Sequence, residues 1–178
     1  NETIFFKEKI KVLHIAPEQS FYNIFKKQKN INYTTYDLNS PLASIKGDIC
    51  NMPFNENSFD FILCNHVLEH IEDDQKAMSE IFRVLNIGGK AILQVPLNQN
   101  SKNTLEDNSI TSQKERIEKF GQYDHVRLYG MDYFERLKKV GFEVEQIKYA
   151  LNYNKKDIKK YGITENEIIP LCKKLIKN

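Results

Sequence analysis

The stretch FDFILCNHVLEH, Phe59 to His70, sets the tightest limit on what this chain can fold into. Phe61-Ile62-Leu63-Cys64 is a short continuous apolar run, the pattern of a strand covered on both faces in a parallel sheet. The run stops at Asn65-His66, and Glu69-His70 follow within one helical turn. Open α/β sheets bind their ligands just past the carboxyl ends of such strands. A core strand followed by a solvated loop is the alternative. Two histidines and a glutamate crowded between positions 66 and 70 argue against it.

The flanking segments alternate strand and helix. Lys11 to Ile15 reads as a strand broken by Ala16-Pro17-Glu18, after which Ser20 is placed to cap a helix presenting Phe21, Ile24 and Phe25 on one face. Ile31 to Tyr36 is a second strand ending at Asp37, and Asn39-Ser40-Pro41 is a turn. Ile45 to Ile49 is a third, short strand with Asp48 near its end. Past the central stretch, Glu72, Asp73 and Asp74 supply negative charge for a helix N-terminus. The helix carries the stripe Met78, Ile81, Phe82, Leu85, and Gly88-Gly89 is expected to terminate it. Ala91 to Val95 is a fifth strand. This alternation predicts a parallel sheet with right-handed crossovers.

Leu97 to Tyr129 is long and polar, which predicts a functional loop or lid, or disorder. Its end, FGQYDHVRLYG (Phe120 to Gly130), is too aromatic for a plain linker. Asp132 and Glu135 form a capping-box pattern for a helix with Phe134, Leu137 and Val140, closed by Gly141. Phe142 to Tyr149 reads as a sixth strand. After a lysine-rich link, Glu167 to Cys172 reads as a seventh, whose Pro170 predicts an edge position.

Length and charge narrow the classes. With 178 residues, 40% of them hydrophobic, residues 1–178 suit a single domain. A net charge of +2 gives no electrostatic case for nucleic acid or an anionic membrane. Cys50, Cys64 and Cys172 read as buried free thiols of a cytoplasmic protein. No apolar run approaches a membrane span or a signal sequence. A start at Asn1 rather than Met suggests a fragment lacking an N-terminal region.

The order of elements, with FDFILCNHVLEH and Leu85-Asn86-Ile87-Gly88-Gly89, resembles the class I S-adenosylmethionine-dependent methyltransferases. The resemblance covers about Val12 to Phe142. KVLHIAPE and FGQYDHVRLYG narrow it to a bacterial subfamily of undefined substrate. It implies an α/β fold: a Rossmann-like, seven-stranded, mostly parallel sheet with helices on both faces and the last strand antiparallel.

It further implies S-adenosylmethionine as cofactor and S-adenosylhomocysteine as product, bound by His14, Ala16, Pro17, Glu18, Asp37, Leu38, Asp48, Ile49, Asn65 and His66. Asp37 is placed to accept both ribose hydroxyls, the logic of dinucleotide sites. Asp48 is placed for the adenine amino group and Ile49 for its ring. Both aspartates have a turn-forming alternative. Asn65 and His66 fall at the methionine end. The family's first loop is glycine-rich, whereas here no glycine precedes Gly47 and Pro17 lacks a donor. Glu18 is the candidate partner for the cofactor's ammonium, and its alternative is a helix-start carboxylate. His14, inside a strand, has the alternative of a satisfied core histidine.

Methyl transfer asks chiefly for positioning, and a hydroxyl acceptor also asks for a base. The candidate catalytic residues are His125, His66 and His70, with Tyr123, Arg127 and Tyr129 lining the acceptor side. His66, Glu69, His70 and His125 also have the makings of a metal cluster, since the first three share one helix face. Helix-start polar groups are the plainer account, and no metal ligand is assigned. The expected function is O-methylation of a small-molecule or sugar-like acceptor. A non-catalytic nucleoside- or partner-binding module of the same fold is the competitor. A nicotinamide enzyme lacks its glycine fingerprint, and a nucleic-acid methyltransferase lacks a basic stripe.

Overall fold

The computed structural model describes residues 7–176. The expectation of a missing N-terminal region falls outside them. The strands are β1 (Ile10–Ile15), β2 (Ile31–Asp37), β3 (Ile45–Lys46), β4 (Phe59–Asn65), β5 (Leu85–Gln94), β6 (Leu105–Glu106), β7 (Arg127–Leu128), β8 (Glu143–Ile147) and β9 (Ile169–Lys173). The α-helices are α1 (Gln19–Phe25), α2 (Asp74–Val84), α3 (Gln113–Phe120), α4 (Tyr133–Val140) and α5 (Lys155–Tyr161). Seven strands form one sheet in the order β3-β2-β1-β4-β5-β9-β8. All pairs are parallel except those made by β9, which runs antiparallel to both β5 and β8. The expected sheet is therefore the observed one.

The centre of the sheet is the predicted strand. β4 lies between β1 and β5 with Ile15 opposite Cys64 and Asn65 opposite Gln94. Its side chains alternate between two cores, as a period of two demands. Ile62 and Cys64 join the larger core with Leu13, Met78, Ile81, Leu93 and Leu137, under α2 and α4. Leu63 and Phe61 join the smaller one with Val12, Ile31 and Phe25, under α1. The apolar run is continuous because both faces are covered.

Several local expectations are corrected. Helix α2 ends at Val84, before Gly88-Gly89, and Leu85 already pairs with Phe59 in the sheet. Gly88, at φ 79°, instead lies in a bulge of β5, where the register jumps from Phe59↔Leu85 to Phe61↔Lys90. The helix's last carbonyls are satisfied from elsewhere: Asn57 and Ser58 donate their amides to Arg83 and Val84, and the Lys174 Nζ donates to Phe82 and Leu85 carbonyls. At the start of α1 Ser20 is inside the helix, and Glu18 is the flanking residue without a side-chain cap. Asp132 does not cap α4. Its Oδ1 accepts from the Thr104 amide at 2.7 Å and the Thr104 hydroxyl at 2.6 Å.

The third strand is only Ile45–Lys46, so Asp48 sits in a turn, its Oδ1 accepting the Cys50 amide at 2.8 Å. The sixth strand stops at Ile147. The lysine-rich link contains α5, capped by Asn154, whose side chain accepts from the Asp157 amide. Finally, β9 is interior rather than an edge. Pro170 is tolerated because pairing with β5 ends at Leu171, leaving only β8 alongside it.

The long polar segment is folded. β6 and β7 pair as an antiparallel ribbon with α3 between them. Arg127 ties the ribbon down. Its guanidinium donates to the carbonyls of Leu68 (2.9 Å), Ile71 and Glu72 (2.8 Å), and its Nε to Glu106 (3.1 Å). Among the described residues no helix is long and apolar enough to cross a membrane.

Candidate active site

Two cavities open at the carboxyl edge of the sheet, and His66 lines both. The smaller, about 490 Å³, is walled by the ends of β1, β2 and β4. It gathers Ala16, Asp37, Leu38, Asp48, Ile49 and His66, six of the ten expected cofactor residues, together with His70 and Asp124. The larger, about 580 Å³, has an apolar floor that includes Phe21, Phe61 and Ile92. Its polar rim is Glu18, Asn65, His66, Gln94 and Glu167.

The backbone is bent where the two cavities meet. Ala16 and His66, each one residue past a strand end, hold φ values of 49° and 54°. The left-handed region costs a residue with a Cβ roughly 1 kcal/mol or more, and such outliers gather at functional sites. Ala16 takes this conformation despite its Cβ, and its amide donates to the Tyr36 carbonyl at 2.9 Å. Gly47 is required for another reason: a Cβ there would lie 2.2 Å from the Tyr36 hydroxyl oxygen.

The polar groups are already partly engaged. Asp37 Oδ1 accepts the amides of Asn39 (2.7 Å) and Ser40 (2.6 Å), which closes the turn. Only Oδ2 is left for a ligand, so acceptance of two ribose hydroxyls falls to a single oxygen with two lone pairs. His14 is fully buried and satisfied. Its Nε2–H donates to the Glu18 carboxylate and its Nδ1 accepts the Tyr33 hydroxyl at 2.7 Å. It lines neither cavity and acts by positioning Glu18; Pro17 lines neither as well. Glu18 also accepts from Asn65 Nδ2 at 2.9 Å. Burial pushes the Glu18 pKa up, but the hydrogen bonds from His14 and Asn65 outweigh it and hold the carboxyl below its usual range.

Two buried oxygens on this rim, Asn65 Oδ1 and Gln94 Oε1, accept no hydrogen bond. Buried acceptors are ordinarily satisfied, so the pair marks where a donor belongs. Gln94 was not anticipated from sequence. Its signal is the one that marks Asn65: a polar residue ending an apolar strand, here opposite Asn65 in register.

The histidines meet on the other side of His66. His70 and His125 pack edge to face with ring centroids 4.7 Å apart. Asp124 faces His70, its carboxylate 3.3 Å from Nδ1, rather than its chain neighbour His125. His66 is mostly exposed, with Nδ1 3.6 Å from Glu69 Oε1, and contact with that carboxylate raises its pKa against the opposing effect of burial. The acceptor-side expectations divide. Tyr123 is exposed and lines neither cavity. Arg127 and Tyr129 are buried. Arg127 spends its donors on backbone and Glu106, and the Tyr129 hydroxyl donates to Asp74 at 2.7 Å. They anchor the ribbon and are not available to an acceptor, because burying them required those partners.

Comparison with known proteins agrees with this geometry. A family model described as Methyltransferase domain matches residues 6–93. That span carries β1 through the central strand to Leu93, with every cavity-lining element from Ala16 to His70. Just under half of the chain thus matches the methyltransferase domain, and its fold is that of the class I S-adenosylmethionine-dependent methyltransferases. Sterol 24-C-methyltransferase of Pneumocystis carinii is 35% identical over 115 residues, covering 60% of this chain and 28% of that protein. Phosphoethanolamine N-methyltransferase 2 of Haemonchus contortus, solved with S-adenosyl-L-methionine, superposes with a TM-score of 0.62 at 18% identity. The alignment covers 96% of this chain and 50% of that one. An S-adenosylmethionine-dependent methyltransferase of Mesorhizobium loti gives a TM-score of 0.64 at 11% identity, covering 93% of this chain and 90% of that one. At these identities the structural likenesses establish the shared fold. The methyltransferase chain spans about a third or less of the length of the curated relatives it matches first.

Proposed function

We propose that this chain transfers a methyl group from S-adenosylmethionine to a hydroxyl of a small-molecule or sugar-like acceptor, leaving S-adenosylhomocysteine. One observation carries the reading. The unsatisfied acceptors Asn65 Oδ1 and Gln94 Oε1 stand beside Glu18 on one side of His66, and the carboxylates of Asp37 and Asp48 stand on the other. An ammonium has three N–H donors for the first group, and ribose and adenine have O–H and N–H donors for the second. The residues present therefore fit the cofactor without the family's glycines. Glu18, Asn65 and Gln94 would hold its amino-acid end, Asp37 its ribose, and Asp48 with Ile49 its base.

Bound there, the cofactor supplies a methyl group already activated on a sulfonium, so the protein's task is orientation. The ribbon and α3 form a lid over the histidine side of the site, within a single domain. His66, which lines both cavities, is the candidate proton acceptor for an incoming hydroxyl, with His70 and His125 packed against each other beside it, and the preference for an oxygen acceptor rests on this histidine group. A net charge of +2 favours a small molecule over nucleic acid, and three free thiols favour the cytoplasm.

Calorimetric titration with S-adenosylmethionine and S-adenosylhomocysteine tests the reading. Micromolar binding of both is expected. A folded chain that binds neither removes the proposal. Binding without turnover over a panel of hydroxyl acceptors turns it toward a non-catalytic module.

A further inference from the structure

Glu69 is the least accounted-for side chain near the site. It is 1% exposed, and neither of its carboxylate oxygens accepts a hydrogen bond. Among the described residues, the group at ion-pair distance is the His66 imidazole, its Nδ1 3.6 Å from Oε1. A buried carboxylate in that state is costly unless a proton or a cation compensates it. One carboxylate oxygen of Glu69 and one ring nitrogen each of His70 and His125 lie within 4.8 Å of one another.

Both histidines are oriented from behind. His125 Nδ1 is 3.1 Å from the Phe120 carbonyl, which can only accept, so Nδ1 carries the proton and Nε2 keeps its lone pair. His70 Nδ1 faces the Asp124 carboxylate at 3.3 Å, which favours the same tautomer. An acceptor behind each imidazole is the arrangement that surrounds histidine metal ligands. The mounting is firm as well. Arg127 donates to the Leu68 and Ile71 carbonyls on either side of Glu69-His70, and the Val126 amide donates to the Glu69 carbonyl at 2.9 Å.

We propose that Glu69, His70 and His125 bind one divalent first-row transition-metal ion, the histidines through Nε2 and the glutamate through its carboxylate. Two imidazoles and one carboxylate suit zinc, manganese or iron(II) and disfavour calcium and magnesium, which prefer oxygen alone. Three protein ligands leave coordination positions open. His70 and Asp124 also line the smaller cavity, so the ion stands at its wall. Resting on the methyltransferase reading, the open positions take the acceptor's oxygen, which narrows the acceptor to a hydroxyl compound able to chelate.

The test is metal binding by chelator-stripped protein in the absence of any cofactor. Cobalt(II) is the optical probe, zinc(II) the competitor and calcium(II) the control. One equivalent of cobalt per chain is expected, displaced by zinc and not by calcium. Glu69→Gln and His125→Ala should weaken binding by at least the roughly 100-fold that loss of a mere supporting partner costs. Zinc at about 100 times its Kd should raise the wild-type Tm by roughly 5–10 °C and leave Glu69→Gln unmoved. Metal-free Glu69→Gln should melt no lower than wild type, because it removes an uncompensated buried charge; a purely structural Glu69 would give a lower Tm. Should Glu69→Gln fail to fold, His70→Ala, at a half-exposed position, carries the same comparison. Wild type binding cobalt no more tightly than the variants overturns the site. S-adenosylhomocysteine calorimetry on the same samples separates the two readings: metal uptake without nucleoside binding upholds the site and removes the acceptor clause.

Discussion

Single residues decide whether the cofactor end of the site works without glycine. Ala16 is the smallest residue with a Cβ, and it holds φ 49°. Ala16→Gly exchanges that strain for extra chain entropy, so urea unfolding should change by less than about 0.5 kcal/mol. Ala16→Val puts a β-branched side chain in the same region and should cost about 2 kcal/mol or more. Asp37 closes its turn through Oδ1 and leaves Oδ2 for the proposed ribose contact. Asp37→Asn keeps an acceptor for the Asn39 and Ser40 amides but loses the charge, and should weaken S-adenosylhomocysteine binding by about 1–2 kcal/mol in calorimetry. Asp37→Ala loses both and should cost on the order of 2–4 kcal/mol. Equal affinity in both variants and wild type would take Asp37 out of the site.

Elements are held in place by polar pins that sequence periodicity does not report. Glu80, on α2, accepts from the Met52 amide at 2.8 Å and pairs with Arg83 at 2.7 Å, fixing the loop that leads into β4. The Arg83 hydrogen bond, outweighing burial, holds the Glu80 pKa below the ordinary 4.5. A carboxyl depressed in the folded state binds its proton more readily unfolded, so its contribution is full above pH 4.5 and is lost as pH falls through the folded pKa. Glu80→Gln should therefore lower stability at neutral pH and flatten the acid limb of a Tm-versus-pH curve. Arg127 is the pin of the β6–β7 ribbon. Arg127→Met leaves three carbonyls and Asp74 short of a donor or counter-charge and should destabilise by about 3 kcal/mol or more in urea. If Arg127 instead bound acceptor, stability would hold and only KM would rise.

The strands of the sheet and α2 were legible in the sequence because burial on one or both faces writes a period into it. The insert was less legible, although part of it was written there. Ser112 caps the start of α3, accepting the Glu115 amide at 3.3 Å while its hydroxyl donates to the Glu115 carboxylate at 2.5 Å, and Gly121 closes the helix at φ 90°. That helix buries only Phe120, so it shows no stripe to read. Arg127 and Tyr129 misled for a related reason. An arginine in an aromatic loop has the same sequence appearance whether it faces a ligand or three backbone carbonyls, and only the tertiary path between Leu68 and Glu72 distinguishes the two.

At the scale of the molecule, the helices divide unevenly between the two faces of the sheet. The larger core takes α2 and α4, and among the described residues α1 covers the smaller one. Both cavities lie at the carboxyl edge because parallel strands all deliver their ends there. The strand order was legible only through the family resemblance, since hydrophobic pattern assigns a residue to a face and not a strand to a neighbour. Pro170 shows the limit: its residue type predicts an edge, yet β9 is interior. That placement also bears on how the protein is made. On the ribosome, β5 and β8 emerge well before the strand that separates them. Until Ile169–Lys173 clears the exit tunnel, the nascent chain carries two unpaired strand edges, and Phe82 and Leu85 wait for the Lys174 ammonium. The sheet and the end of α2 are thus completed together, once Ile169–Lys173 and Lys174 are free to pair, and a chaperone has most to protect just before that moment.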